Sequence, residues 1–259
     1  MSITTHRTST PPLHGRVERG SGGEELGEIA RDLERMHGWR EWHWWPDAHP
    51  FEVIVGAILV QNTAWANVER ALDLLRAADV LTHPDRMAAL SQDELEQLIR
   101  PSGQYRQKAK KLRAFLALID GHGGLDPLLA LPPTELRATL LATWGIGKET
   151  ADSILLYAAR YPGFIVDAYL IRLFSRLGIG PVGSTSYDEW MDWTTANLHT
   201  TDRDLLARFR AEIVLHCKFL CRKNTPKCAE CVLLPRCPGS PFKESRPSVA
   251  AGGATGSPE

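Results

Sequence analysis

The 259 residues include 43% hydrophobic and 24% charged side chains, with 30 Lys and Arg against 31 Asp and Glu for a formal charge of −1. That is apolar material for one large domain or two small ones, and as a sum the charge counts against a nucleic-acid partner. The longest apolar run, residues 53–60, is too short to cross a bilayer and is interrupted by Gly56, which excludes a spanning segment. No secretory leader is visible, so the expected place is the cytoplasm, where disulfides are rare.

In chain order, residues 1–23 are rich in Thr, Ser, Pro, Gly and Arg and read as a disordered tail, as do residues 239–259. Trp42-His43-Trp44-Trp45-Pro46 concentrates four aromatic or imidazole rings in a chain with eight tryptophans. Phe51-Glu-Val-Ile-Val-Gly-Ala-Ile-Leu-Val60 has the propensity of a buried strand or a buried helix. No second strand of comparable length is present to pair with it, so a buried helix is expected. Gln61-Asn62-Thr63-Ala64-Trp65 follows it.

Residues 93–99, 107–119, 134–143, 149–160, 169–177 and 203–220 carry helical periodicity, punctuated by Pro and Gly. The pattern is clearest at Leu170, Leu173, Phe174 and Leu177. The fold class is all-α. Residues 100–113 hold six cations and no acid, and from 203 to 246 Lys and Arg outnumber Asp and Glu by ten to four. Either run alone reads as a solvated face. Together they suggest a basic face on a neutral protein, which a phosphate backbone could meet.

Trp144-Gly145-Ile146-Gly147-Lys148-Glu149-Thr150-Ala151 lies between two amphipathic stretches. Two glycines around one apolar residue allow a tight turn whose N–H groups, at the start of the next helix, suit a phosphate. A lone Gly-x-Gly is usually an ordinary turn, so this reading depends on its neighbours. Asp167, in Ile165-Val166-Asp167-Ala168-Tyr169, opens the helix of residues 169–177. It is an N-cap by type and place. The same placement keeps a carboxylate ionised, and an anion there can stabilise a positive charge that develops nearby.

Five cysteines cluster at 217, 221, 228, 231 and 237. The last four read Cys221-x6-Cys228-x2-Cys231-x5-Cys237 and suit a soft metal. Structural zinc commonly uses two Cys-x2-4-Cys knuckles, and only one is present. A [4Fe–4S] cluster tolerates wider, unequal gaps. Iron–sulfur, zinc and, last, disulfides stand as readings of the spacing. Cys217 lies one helical turn before Cys221 and reads as a packed thiol.

The x6, x2, x5 spacing is similar to the iron–sulfur loop of the endonuclease III branch of helix-hairpin-helix DNA glycosylases, and Gly145–Ala151 resembles the hairpin of that family. The resemblance runs from about Trp44 to Cys237. It implies a structural [4Fe–4S] cluster on Cys221, Cys228, Cys231 and Cys237, with Lys223, Lys227 and Arg236 beside it on DNA phosphates. It also implies that Gly145, Ile146, Gly147, Lys148 and Thr150 hold the DNA backbone near a flipped nucleotide. Asp167 is then the catalytic carboxylate that stabilises the sugar cation and orients water.

The bifunctional members of that family place a lysine, which forms an imine with the sugar, two residues beyond the second hairpin glycine. Here that position is Glu149, which cannot form an imine. Lys148 is turned about 100° away around a helix. The expected product is an intact abasic site. Trp44-Trp45-Pro46, Trp65 just past Gln61-Asn62-Thr63, and Gly145-Ile-Gly-Lys-Glu149 resemble 3-methyladenine DNA glycosylases of the endonuclease III-like type, although some of those lack the cysteine cluster.

That likeness implies a base pocket of Trp44, Trp45 and Trp65 that draws a cationic alkylated purine by stacking and cation–π attraction. Glu149 stands with Asp167 as a catalytic candidate and would add a polar or charge-complementary wall to the pocket. Gln61 would lie beside the base or fill the gap it leaves, while Trp39 and Trp42 read as core. The expected architecture is two-lobed: residues 51–163 with the hairpin, and residues 24–50 plus 164–238 with the cluster.

Double-stranded DNA with a damaged base would bind across the cleft of a monomer, with no membrane association and nucleoid location if the source is bacterial. Two other functions fit parts of the pattern. One is an endonuclease III-type glycosylase and lyase for oxidised pyrimidines; the other is a non-catalytic iron–sulfur protein that binds DNA damage or senses redox state.

Overall fold

The computed structural model describes residues 21–38 and 48–239, and among them every regular element is helical. In chain order these are α1 (Ser21–His37), α2 (Pro50–Leu59), α3 (Trp65–Ala77), α4 (Pro84–Ala89), α5 (Gln92–Ile99), α6 (Tyr105–Gly121), α7 (Leu125–Leu129), α8 (Pro133–Ala142), α9 (Lys148–Ser153), α10 (Ala168–Leu177), α11 (Tyr187–Asn197) and α12 (Arg203–Phe219). No helix among the described residues is long and apolar enough to cross a membrane.

The ambiguous apolar run is a helix, and local chemistry explains its start. The His49 side chain accepts from the Phe51 N–H at 3.2 Å and Pro50 takes the first helical position. All of α2 from Phe51 to Leu59 except Glu52 is buried, as befits a helix apolar on every side. Around it pack α3, α6, α9 and the turn that follows α9. Helix α12 lies against α1 and α10, and α1 also touches α11. One apolar core runs through all of these elements.

The described residues overlap both stretches read as tails, at residues 21–23 and at 239. Helix α1 starts at Ser21, within the stretch read as disordered. Gly23 is buried where a Cβ would press on the His199 ring, so glycine there answers to close packing and not to looseness. At the other end Gly239 donates its N–H to the Arg176 carbonyl at 2.9 Å. Trp39, Trp42, Trp44 and Trp45 lie outside the described residues, as do residues 1–20 and 240–259.

The predicted helix of residues 149–160 changes character halfway. After Ser153 it widens into a π turn, Ile154–Ala158, with the Ala159 N–H reaching back to the Ile154 carbonyl at 2.8 Å. Such a turn inserts one residue and rotates everything after it. Here it carries Tyr157 into the cleft described next.

Candidate functional site

A cleft of about 1260 Å³ opens between the α2–α3 corner, the Gly145–Gly147 turn, α9, the segment before α10, and α12. It gathers Gln61, Trp65, the run from Gly145 to Thr150, and Asp167. Four further residues in its wall went unnoticed in the sequence: Lys111, Tyr157, Arg210 and Lys218.

Asp167 is 7% exposed and both of its oxygens are engaged. Oδ1 accepts from the N–H groups of Tyr169 and Leu170 at 3.0 and 2.8 Å, so Asp167 does cap α10. Oδ2 accepts from Arg210 Nη2 at 2.5 Å. Arg210 is 8% exposed; burial opposes its charge, but Asp167, Tyr157 and Glu149 outweigh that and hold it protonated more firmly than usual. The carboxylate plane is therefore set by a helix start on one side and a buried guanidinium on the other. Carboxylate oxygens have about four lone-pair directions, so one face can still meet a ligand.

Glu149 stands in the first turn of α9 and opens to the same cleft. Protein crowding around it, joined by the like charge of Asp167, raises its carboxyl above the ordinary value, and Arg210 pulls the other way. Burial and the Asp167 charge push the Tyr157 hydroxyl up to about 12, so it stays protonated. The floor of the cleft is thus two carboxyls, one guanidinium and one phenol. Such a floor favours a positive charge that develops beside it.

The turn before α9 is a built structure. Gly145 has φ +84°, and a Cβ there would run into the Lys111 side chain. Lys111 in turn donates to Gln61 Oε1. Gln61 Nε2 donates to the Gly145 carbonyl at 3.2 Å and to Thr150 Oγ1 at 3.0 Å. Gln61 therefore ties the end of α2 to this turn, and Thr150, expected on DNA, is buried behind it.

Gly147 has φ −94°, which any residue adopts, and a Cβ there would meet open space. Only the first glycine is demanded by the turn. The N–H groups of the first turn of α9 lack intrahelical acceptors. Lys148 leaves them aside and donates to Asp188 of α11 at 2.5 Å. Trp65 lines the cleft at the start of α3, its Nε1 donating to Glu69 Oε1 at 2.9 Å.

A second, much smaller cavity, about 30 Å³, is lined by Cys221, Cys228, Cys231 and Cys237 together. Leu173, Leu177, Leu220 and Leu233 are among its apolar walls. Cys217 is buried beside Cys221 and does not line this cavity, its thiol donating to the Tyr169 carbonyl at 3.4 Å. Arg176 of α10 reaches Cys221 Sγ at 3.2 Å and the carbonyls of Arg222 and Lys223 at 2.7 and 2.9 Å. His216 Nε2 lies 3.3 Å from Cys231 Sγ, and its Nδ1 is 3.1 Å from His37 of α1.

Among the described residues, no three His, Cys, Asp or Glu side chains converge closely enough to hold a single metal ion. A cubane binds one thiolate per corner, so its sulfurs stand further apart than those around one ion. Four thiols on an apolar-walled cavity, with an arginine donor at Cys221 and an imidazole nitrogen beside Cys231, fit that donor set. Lys223 and Lys227 are exposed on the same loop, Lys227 lying 3.3 Å from Glu230. Arg236 pairs with Glu28 and Asp32 of α1 at 2.8 and 2.9 Å and so clamps the loop to α1.

Comparison with known proteins adds the following. A family model described as the HhH-GPD superfamily base excision DNA repair protein matches residues 55–188. A Methanocaldococcus jannaschii protein named as a DNA repair glycosylase is 41% identical over 198 residues, 75% of this chain and 88% of the relative. The crystal structure of the Helicobacter pylori 3-methyladenine DNA glycosylase bound to 1,N6-ethenoadenine is 30% identical, with TM-score 0.64 over 76% of this chain and 97% of that one. A non-covalent endonuclease III–DNA complex shares the fold, with TM-score 0.69 and 23% identity over 84% of this chain and 95% of that one.

Proposed function

The chain belongs to the HhH-GPD superfamily of base excision DNA repair proteins as a DNA glycosylase, and from that premise we propose that it releases an alkylated purine from double-stranded DNA by hydrolysis. The observation that carries this reading is the pairing of Asp167 with Glu149 across one cleft, where an imine-forming lysine would be needed for strand cleavage. The flipped nucleotide enters beside Trp65. As the bond between C1′ and the base breaks, positive charge grows on the sugar. Asp167, held in place by the α10 N–H groups and Arg210, stabilises that charge and orients the water that adds to C1′. The base leaves and an intact abasic site remains.

The Trp65 ring with Glu69 and Glu149 makes an electron-rich, acidic wall suited to a cationic base. The likeness to a glycosylase named for 3-methyladenine supports the same substrate class. The turn at Gly145–Gly147 and the exposed Lys223 and Lys227 are assigned to the phosphate backbone, which they would position without reading sequence. Cys221, Cys228, Cys231 and Cys237 would hold a [4Fe–4S] cluster whose contribution is structural. The division into lobes 51–163 and 24–50 plus 164–238 is part of the same proposal, with the DNA across the cleft of a monomer.

The test is base release from duplex DNA methylated by an alkylating agent, beside oxidised and mismatched duplexes. Methylpurines are released, abasic sites stay uncleaved, and borohydride traps no adduct. Asp167→Asn slows release by roughly a hundredfold or more, the scale of losing one preorganised charge-stabilising group. A trapped adduct, or release of oxidised pyrimidines instead, makes the protein an endonuclease III-type enzyme. Damage binding with no release from any duplex makes it a binder. Visible absorbance in the purified protein separates iron–sulfur from colourless zinc.

A further inference from the structure

Behind the cleft lies a polar network that the reaction described above does not use. Arg137 of α8 donates to Asp152 of α9 through Nε at 2.7 Å and Nη2 at 3.1 Å. The hydroxyl of Tyr187, in the first turn of α11, donates to the same carboxylate at 2.5 Å. Asp152 is 6% exposed, and Tyr187 lines the main cleft.

Placement gives the network its meaning. Asp152 is three residues after Glu149, on the helix that the Gly145–Gly147 turn introduces. Tyr187 lines the cleft together with Ile165 and Asp167. Tyr187 therefore stands at both halves of the site: its hydroxyl holds the helix behind the backbone-gripping turn, and it lines the cleft beside the segment that delivers the carboxylate. Asp152 is itself oriented by a bidentate arginine, the geometry that fixes a carboxylate plane most firmly. Burial and the neighbouring Asp152 charge raise the Tyr187 hydroxyl, so it remains a donor at every working pH. The next residue, Asp188, makes a second and exposed link to α9 through Lys148.

We propose that Arg137, Asp152 and Tyr187 are positioning residues that set the Gly145–Gly147 turn in register with Asp167, so that gripping the DNA backbone and aligning the carboxylate with the sugar become one event. The proposal rests on Asp167 as the catalytic carboxylate and is independent of which base is removed. A phenylalanine at 187 would fill the same space, so the hydroxyl alone can be tested.

The experiment compares two duplexes bound by the cluster-loaded protein. One carries a neutral tetrahydrofuran abasic analogue; the other carries a pyrrolidine analogue whose charge imitates the sugar cation. The parent protein binds the charged analogue more tightly, and this preference reports the alignment of Asp167. In Tyr187→Phe the preference falls about tenfold, since small misplacements at a reacting centre carry effects of that size or larger, while tetrahydrofuran affinity stays within about threefold. Asp152→Asn shows the same loss, and the double variant loses no more than the worse single one.

If Tyr187→Phe keeps the parent preference, the positioning role is wrong. If preference, tetrahydrofuran affinity and melting temperature fall together, the network only holds the fold, which also overturns the proposal. A parent protein without any preference would instead remove the Asp167 assignment, and this inference with it.

Discussion

Gly145 and Gly147 look equivalent in the sequence, each flanking Ile146, yet the structure gives them separate duties. Gly145→Ala puts a side chain at φ +84° and into Lys111, the lysine that holds Gln61. A non-glycine in such a conformation costs about 1–3 kcal/mol, so this variant melts several degrees lower in a thermal scan. Gly147→Ala meets neither strain nor contact. Its melting temperature is unchanged while its affinity for an abasic-analogue duplex drops, because the added methyl sits where a phosphate approaches. If Gly147→Ala binds as tightly as the parent, the turn does not hold the backbone. Asp167 shows how far a single residue can be read: its capping role follows from residue type and position, whereas its partner Arg210, 43 residues away, does not.

At the scale of elements, legibility followed periodicity. Helices of eight or more residues with a regular apolar stripe, such as α5, α6, α10 and α12, were readable. Helix α3 carries the signal in Val68, Ala71, Leu72 and Leu75, a stripe that starts only after the aromatic motif at its N-terminus. Helices α4 and α7 are too short to show a period, and α11 buries only Trp190 and Thr194. Helix α12 has a further property that no pattern reveals. Glu212 is 4% exposed and faces Arg208 on its own helix and Glu34 on α1; burial and then the Glu34 charge push its carboxyl up to about 8.

Because the folded-state value of Glu212 exceeds the unfolded one, its contribution to stability is full below the ordinary carboxylate range. That contribution is lost as pH rises toward 8. Glu212→Gln removes the charge and keeps the shape. Melting temperatures from about pH 5 to about pH 9 should fall for the parent and fall less for the variant. Parallel curves would show that Glu212 does not titrate at the α1–α12 contact.

For the whole molecule, the cysteine loop is fastened on three sides: to α10 through Arg176, to α12 through His216, and to α1 through Arg236. These are the helices that carry Asp167 and Arg210 or pack against the helix that does. Stripping the proposed cluster with a chelator under reducing conditions should therefore lower the melting temperature and weaken DNA binding together, since binding free energy at a structural metal site is folding free energy. A stripped protein with unchanged melting would place the loop outside the cooperative unit.

The sequence by itself determined the all-helical class, the glycine turn, the cap at Asp167 and the grouping of four cysteines apart from Cys217, because each depends on residues within a turn or two of one another. Tertiary structure alone decided the rest. Gln61 meets Gly145 across 84 residues, and Arg236 meets Glu28 across 208. The π turn aims Tyr157 at the Asp167–Arg210 pair, and the Tyr187 hydroxyl meets Asp152 across 35 residues. Such contacts are selected by how helices stack around α2 and α12, and no local spacing encodes that.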